Sequence, residues 1–282
     1  MAVDHTVRSA LDAAIGQADA LLITAGAGMG VDSGLPDFRG NQGFWNAYPH
    51  IAKLGISFSE MANPGWFERD PELAWAFYGH RLDLYRSTMP HQGFTDLLKL
   101  CRRKQGGYFV FTSNVDGQFQ KAGFESSRMI ECHGSIHHFQ CCKPCSNSIW
   151  SAAEENIVVD IHAFRAKIPL PVCHLCGALA RPNILMFGDW GWNPQRTDVQ
   201  YQRFEQWIKN LRADNLKLGI IEVGAGKDVP TVRMFSERAA STAGATLIRI
   251  NPRDFEVPHE HISLPMGGAE GIKAIMEGNH AG

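Results

Sequence analysis

The sequence carries little net charge, −2 over 282 residues with a pI near 6.6. Nothing general in its electrostatics therefore favours nucleic acid or an anionic membrane as a partner. It has no run approaching the roughly 20 apolar residues that a membrane helix needs. The opening residues MAVDHTVRSALDAAIGQADALLITAG show no basic stretch followed by an apolar core and a small-residue cleavage site, so a cytoplasmic protein is expected. A disulfide framework is also missing. The cysteines number seven, an odd count, and four of them form two C-x-x-C pairs, leaving Cys101, Cys132 and Cys141 outside. In a reducing compartment such pairs more often hold metal or do redox chemistry than staple loops. Internal repeats, low-complexity tracts and long Pro/Ser linkers are lacking too.

What is present is ordinary for a globular chain, 44% hydrophobic and 20% charged, long enough for one large α/β domain with a smaller appendage. Five short apolar runs end in small or polar residues: Ala20–Gly26, Tyr108–Asn114, Met129–Gly134, Leu218–Gly224 and Ala245–Asn251. Unalternated runs rich in Ile, Val, Leu and Phe suit strands buried on both faces of a parallel sheet. Helical patterns such as HQGFTDLLKLCRR and VPTVRMFSERAAS lie between them, so the expected fold is a doubly wound, Rossmann-like α/β sheet. Residues 1–40, 91–135 and 181–282 are assigned to that domain. An aromatic-rich, helical segment 41–90 and a cysteine-bearing segment 136–180 interrupt it and are expected to form a smaller zinc-ribbon plus helical domain.

CKPC and CHLCG each make a tight knuckle able to turn two thiolates toward one ion, which predicts a closed tetrahedral zinc site of Cys142, Cys145, Cys173 and Cys176. Cys141, His137, His138 and His174 compete as ligands, but each breaks the symmetry of the paired knuckles. The gap of 27 residues between Cys145 and Cys173 implies an excursion.

Ligands of doubly wound sheets bind at the carboxyl ends of the strands. There, TAGAGMGVDSGLPDFRG packs five glycines into seventeen residues. Gly26-x-Gly28 suits close backbone approach to a pyrophosphate, but the third glycine of a dinucleotide fingerprint is replaced by Val31. Pro36 then forbids a continuing helix, so DSGLPDFRG is expected to fold as a loop over the ligand. The VGAG turn at Gly224, Ala225 and Gly226, Asn251 after LIRI, and Asn114 and Asp116 in TSNVDG lie at other strand ends. Each is also an ordinary turn residue. His133 in ECHGS is the best general-base candidate, since a neutral imidazole accepts a proton at physiological pH. Cys132 faces the opposite way in a strand, which argues against a Cys132–His133 dyad.

Together these motifs resemble the sirtuins, NAD-dependent protein lysine deacylases. The glycine and cofactor loop, TSNVDG, ECHGS, the two cysteine pairs, RPNILMFGD, VGAG and INPRD follow the family's order from about Leu21 to Ala269. The resemblance implies NAD contacts from Gly26, Ala27, Gly28, Asp37, Phe38, Arg39, Ser113, Asn114, Asp116, Gly224, Ala225, Gly226, Asn251 and Ala269. It implies that NAD is cleaved instead of reduced: the acyl-lysine carbonyl oxygen attacks C1′ of the nicotinamide ribose and nicotinamide leaves. Asn114 and Asp116 orient ribose and carboxamide, and His133 activates a ribose hydroxyl, giving free lysine and O-acyl-ADP-ribose. Zinc stays structural, and the partners implied are acylated protein lysines. Tyr78 and Arg81, on one helix face, resemble the Tyr-x-x-Arg pair of sirtuins that prefer succinyl- or malonyl-lysine; a solvent-facing arginine is the plainer alternative. Three sites depart from the family: Gly30 for its serine, Ser113 for its glutamine, and Gly224-Ala225-Gly226 for its Gly-Thr-Ser turn. They keep open an ADP-ribosyltransferase or NAD glycohydrolase, and a non-catalytic NAD-sensing module is the third reading.

Overall fold

The computed structural model describes residues 4–37 and 40–278. Its strands are β1 (Ala20–Ala25), β2 (Tyr108–Thr112), β3 (Met129–Glu131), β4 (Gly134–Cys141), β5 (Ile149–Ser151), β6 (Val159–Asp160), β7 (Arg165–Ala166), β8 (Ala180–Ile184), β9 (Leu218–Val223), β10 (Thr246–Ile250) and β11 (Ile262–Leu264). Six of them form one parallel sheet in the order β11-β10-β9-β1-β2-β3. This is the doubly wound arrangement, with its switch point between β1 and β9.

Burial on both faces explains the unalternated strand sequences. Leu21, Ile23 and Ala25 of β1 pack with Ile221, Val223, Ile248 and Ile250 beneath Leu11 and Ile15, Phe94 and Leu97, and Ile272 and Ile275. These covering residues come from the helices His5–Gln17, Gln92–Arg102 and Gly268–Gly278. On the other face Leu22, Phe109, Phe111, Ile220 and Leu247 pack under Trp207 and Leu211 of Gln195–Ala213 and Val232 and Ala240 of Thr231–Ala243. Fully burying each such Leu, Ile or Phe contributes about 1.5–3 kcal/mol. β11 has only three residues and was not anticipated.

A second apolar cluster lies beside the sheet, built from the helix Pro71–Ser87, short helices before it, and strands β4 to β8. Asp70 starts this helix by accepting from Leu73 N at 3.1 Å, with Pro71 at the first helical position. The helix buries Leu73, Trp75, Phe77, Tyr78, Leu82 and Tyr85 and leaves Glu72, Asp83 and Ser87 exposed. β4 pairs antiparallel with β5 and with β8. The expected return to the large domain at residue 181 therefore falls inside β8, a strand of the small sheet. Among the described residues no helix is long and apolar enough to cross a membrane.

Candidate active site at the strand ends

The ends of β1, β2, β3 and β9 open into one cavity of about 610 Å³. Its floor is the junction of two glycine turns. Gly26 N donates to Val223 O at 3.0 Å, Gly28 N to Gly224 O at 3.0 Å, and Gly224 N to Ile250 O at 2.9 Å. The turns touch backbone to backbone, since a Cβ on Gly28 would meet Gly224 Cα at 2.7 Å. Gly224 also has φ +65°, and its Cβ would lie 2.4 Å from Gly28 C. Gly26, Ala27, Gly224, Ala225 and Gly226 line the cavity; the Gly26 and Gly28 amides are used internally, and Gly28 lies beneath the wall. Gly224→Ala is expected to cost at least about 1–3 kcal/mol and to weaken NAD binding. Thermal unfolding and calorimetric titration check this, and a wild-type melting point would refute the joint.

The chain leaves β1 through a 3-10 helix, Ala27–Ser33, which Gly34 closes with φ +88°. Leu35, Pro36 and Asp37 then line the cavity as an irregular loop, as the proline implied. Asp37 Oδ2 is 3.1 Å from Arg253 Nη2 of the loop after β10. Phe38 and Arg39 lie outside the described residues.

Ser113, Asn114, Asp116 and His133 line the same cavity. Asn114 is aimed by its Nδ2, which donates to Gly26 O at 3.0 Å, and by its backbone N, held on Thr112 Oγ1 at 3.0 Å. Asp116 accepts from Gln118 N at 2.8 Å. Burial pushes its pKa up to about 6, Glu131 adding to the rise while the Gln118 N–H and Arg81 oppose it. His133 follows β3, and its carbonyl is fixed by Leu185 N at 3.0 Å. Burial holds its pKa below 6.5, so the imidazole is neutral at physiological pH. Cys132 turns to the other side and packs in the core under Gln195–Ala213, where burial raises its pKa to about 12.

Besides Gly28, two further expected nucleotide contacts are not on the cavity wall. Asn251 is 0% exposed. Its Nδ2 donates to Ala225 O at 2.9 Å, and its Oδ1 accepts from Arg253 N and Asp254 N, each at 3.0 Å. It organises the glycine turn from behind. Ala269 gives its amide to Asp32 Oδ2 at 2.7 Å, which ties the start of the last helix to the 3-10 helix.

Tyr78 and Arg81 both face the cavity and are both buried, which excludes a solvent-facing arginine. Arg81 lies over the rings of Phe77, Tyr78 and Tyr85, 5.1, 5.7 and 5.4 Å from their centroids. Tyr85 also lines the cavity but was missed; its i+4 spacing from Arg81 was the available signal. Leu185, Met186 and Phe187, within the noted RPNILMFGD stretch, add an apolar wall.

The model of the Sir2 family matches residues 26–212. The chain belongs to the Sir2 family. An NAD-dependent protein deacylase of Thermus thermophilus is 28% identical over 264 residues, 92% of this chain and 90% of that protein. NAD-dependent protein deacylase 1 of Archaeoglobus fulgidus is 34% identical over 178 residues, 62% of each chain. Among solved structures, a Sir2 homologue mutant in complex with 2′-O-acetyl-ADP-ribose superposes with a TM-score of 0.69 at 25% identity, covering 99% of this chain and 98% of that one.

This Sir2 chain has a cysteine cluster apart from the cavity, with one member changed from expectation. The four sulfurs within 4.8 Å of one another belong to Cys141, Cys145, Cys173 and Cys176. Cys142 is not among them. β4 runs on to Cys141, so neighbouring side chains point to opposite faces, and Cys142 packs on the apolar cluster of the small sheet. Sγ of Cys141 and Cys176, and of Cys145 and Cys173, are 3.6 Å apart. A tetrahedron of sulfurs about 2.3 Å from zinc has edges of about 3.8 Å, so the set fits a structural zinc closed to substrate. His137 bonds Asp116 O at 2.9 Å and His174 packs edge-on to Trp150; neither they nor His138 joins the cluster.

Proposed function

We propose that the chain is an NAD-dependent protein lysine deacylase that cleaves NAD and releases nicotinamide and O-acyl-ADP-ribose. The observation that carries this reading is the convergence of His133, Asn114, Asp116 and both glycine turns on one cavity. NAD lies across the β1/β9 junction, its pyrophosphate against Ala27 and the Gly224–Gly226 turn. Asn114 and Asp116 hold the nicotinamide ribose and carboxamide. Nicotinamide leaves as the acyl carbonyl oxygen bonds to C1′, and the neutral imidazole of His133 then takes the proton of a ribose hydroxyl, whose oxygen attacks the imidate carbon; water hydrolyses that adduct, so the lysine amine leaves and the acyl group stays on the ribose. The four-cysteine zinc, when bound, supplies rigidity to the small domain formed by 41–90 and the zinc-ribbon segment, and the acylated polypeptide lies between that domain and the sheet. The reaction belongs in the cytoplasm, a reducing compartment in which paired cysteines more often hold metal than staple loops.

Within this reading, Tyr78 and Arg81 hold the distal carboxylate of a succinyl or malonyl group. Their shared place on the wall supports it, as does the buried Tyr78 hydroxyl, which has no hydrogen-bond partner among the described residues. A guanidinium fork beside a phenol is apt for a carboxylate. Arg81→Met is expected to raise KM for a succinyl-lysine peptide roughly 10- to 100-fold, the scale of a lost charged hydrogen bond.

Mass spectrometry of the protein with NAD and matched acetyl-, succinyl- and long-chain acyl-lysine peptides tests the whole. Free lysine peptide with O-acyl-ADP-ribose is the expected result. NAD consumed equally without peptide, or ADP-ribose attached to protein, would replace deacylation by NAD hydrolysis or ADP-ribosyl transfer.

A further inference from the structure

Arg81 reaches the cavity already held by a third residue. Its Nε and Nη2 donate to Tyr85 Oη at 3.1 and 2.9 Å, one helical turn along the same face of Pro71–Ser87. A phenol oxygen has two acceptor lone pairs and one O–H donor. The two guanidinium hydrogens fill the lone pairs, so Tyr85 Oη has only donation left to offer. Tyr85 lines the same cavity as Tyr78 and Arg81. The Tyr78 hydroxyl, with no partner among the described residues, has its O–H to give as well. One O–H donor thus sits against a cation whose orientation is set before any ligand arrives, with the Tyr78 ring 5.7 Å from it, a pattern that suits an anionic, two-oxygen acceptor.

We propose that Tyr85 is a specificity-determining residue: it locks the Arg81 guanidinium and donates its own O–H to the distal carboxylate of a succinyl- or malonyl-type acyl chain. This rests on the carboxylate reading of Tyr78 and Arg81 and adds a member to that site. The recognition is built on one helix, so the three groups keep a fixed spacing. An acyl chain without a terminal carboxylate leaves the donors unmatched and gains nothing from them.

Tyr85→Phe keeps the ring under the guanidinium and removes only the oxygen. Steady-state kinetics with succinyl- and acetyl-lysine peptides should show KM for the succinyl peptide rising about tenfold, with kcat changed by less than about twofold. The succinyl-to-acetyl ratio of kcat/KM falls with it. Tyr85→Leu, which also lacks the oxygen but packs differently, must show the same KM effect, and melting curves verify that both variants are folded. An unchanged succinyl KM in the Phe variant, alongside a preference lost in Arg81→Met, would reduce Tyr85 to packing and overturn the proposal. A succinyl preference that survives Arg81→Met would instead remove the carboxylate reading, and the role of Tyr85 with it.

Discussion

His133→Ala is expected to lower deacylation about 10²- to 10⁴-fold, the usual contribution of a positioned general base, while the variant stays folded and still binds NAD. The imidazole lines the cavity and belongs to none of the apolar clusters of the described residues; the engagement that fixes this residue is made by its backbone carbonyl, with Leu185. Single-turnover product analysis and calorimetric NAD titration separate the two effects. The wild-type pH profile gives an independent check. Burial disfavours the charged imidazolium, so the folded pKa is below 6.5 and the base form persists to lower pH than for a free histidine. The acid limb of kcat/KM is therefore expected below pH 6.5. Full activity in His133→Ala would remove the assigned base.

The second large effect separates neighbouring cysteines. Cys141→Ser is expected to abolish stoichiometric zinc and to unfold the small sheet, because zinc bound at such sites is worth about 10–16 kcal/mol in small zinc-finger peptides. Cys142→Ser keeps the metal and loses only about 1–3 kcal/mol from placing a hydroxyl among apolar neighbours. Elemental analysis of the purified variants, with circular dichroism before and after chelation, distinguishes them. Loss of zinc from Cys142→Ser would return the site to the symmetric knuckle pair.

That contrast also marks where the sequence was legible. The C-x-x-C spacing singles out Cys142, yet the C-x-x-x-C spacing from Cys141 to Cys145 also falls within the range that zinc knuckles use. The choice is made by β4, whose pairing with β8 carries the strand to Cys141 and fixes which side chain faces the other pair. Long-range pairing of this kind leaves no local signature. The strands of the large sheet did leave one: burial on both faces demands continuous apolar runs, and Ala20–Ala25 and Leu218–Val223 appear as such. β11 was too short to be periodic. Asn251 was correctly placed at a strand end, but its carboxamide serves the backbone of the glycine turn behind the wall. Tyr78 and Arg81 were visible as a helical pair, whereas Tyr85 needed the structure to show that its oxygen meets the guanidinium.

The contact of Gly28 with Gly224 has a consequence for how this chain can diverge. The gauge of the crevice is set by two main chains pressed together, with the Asn251 and Asn114 carboxamides bonded to their carbonyls. At the positions that depart from the usual family pattern, Gly30, Ser113, Ala225 and Gly226, it is the side chain that differs, while the main chain of Ala225 belongs to the joint. Selection can therefore exchange these side chains while the opening between the two halves of the sheet keeps its width. A change at the joint itself has no such freedom, because any added carbon would part the strands.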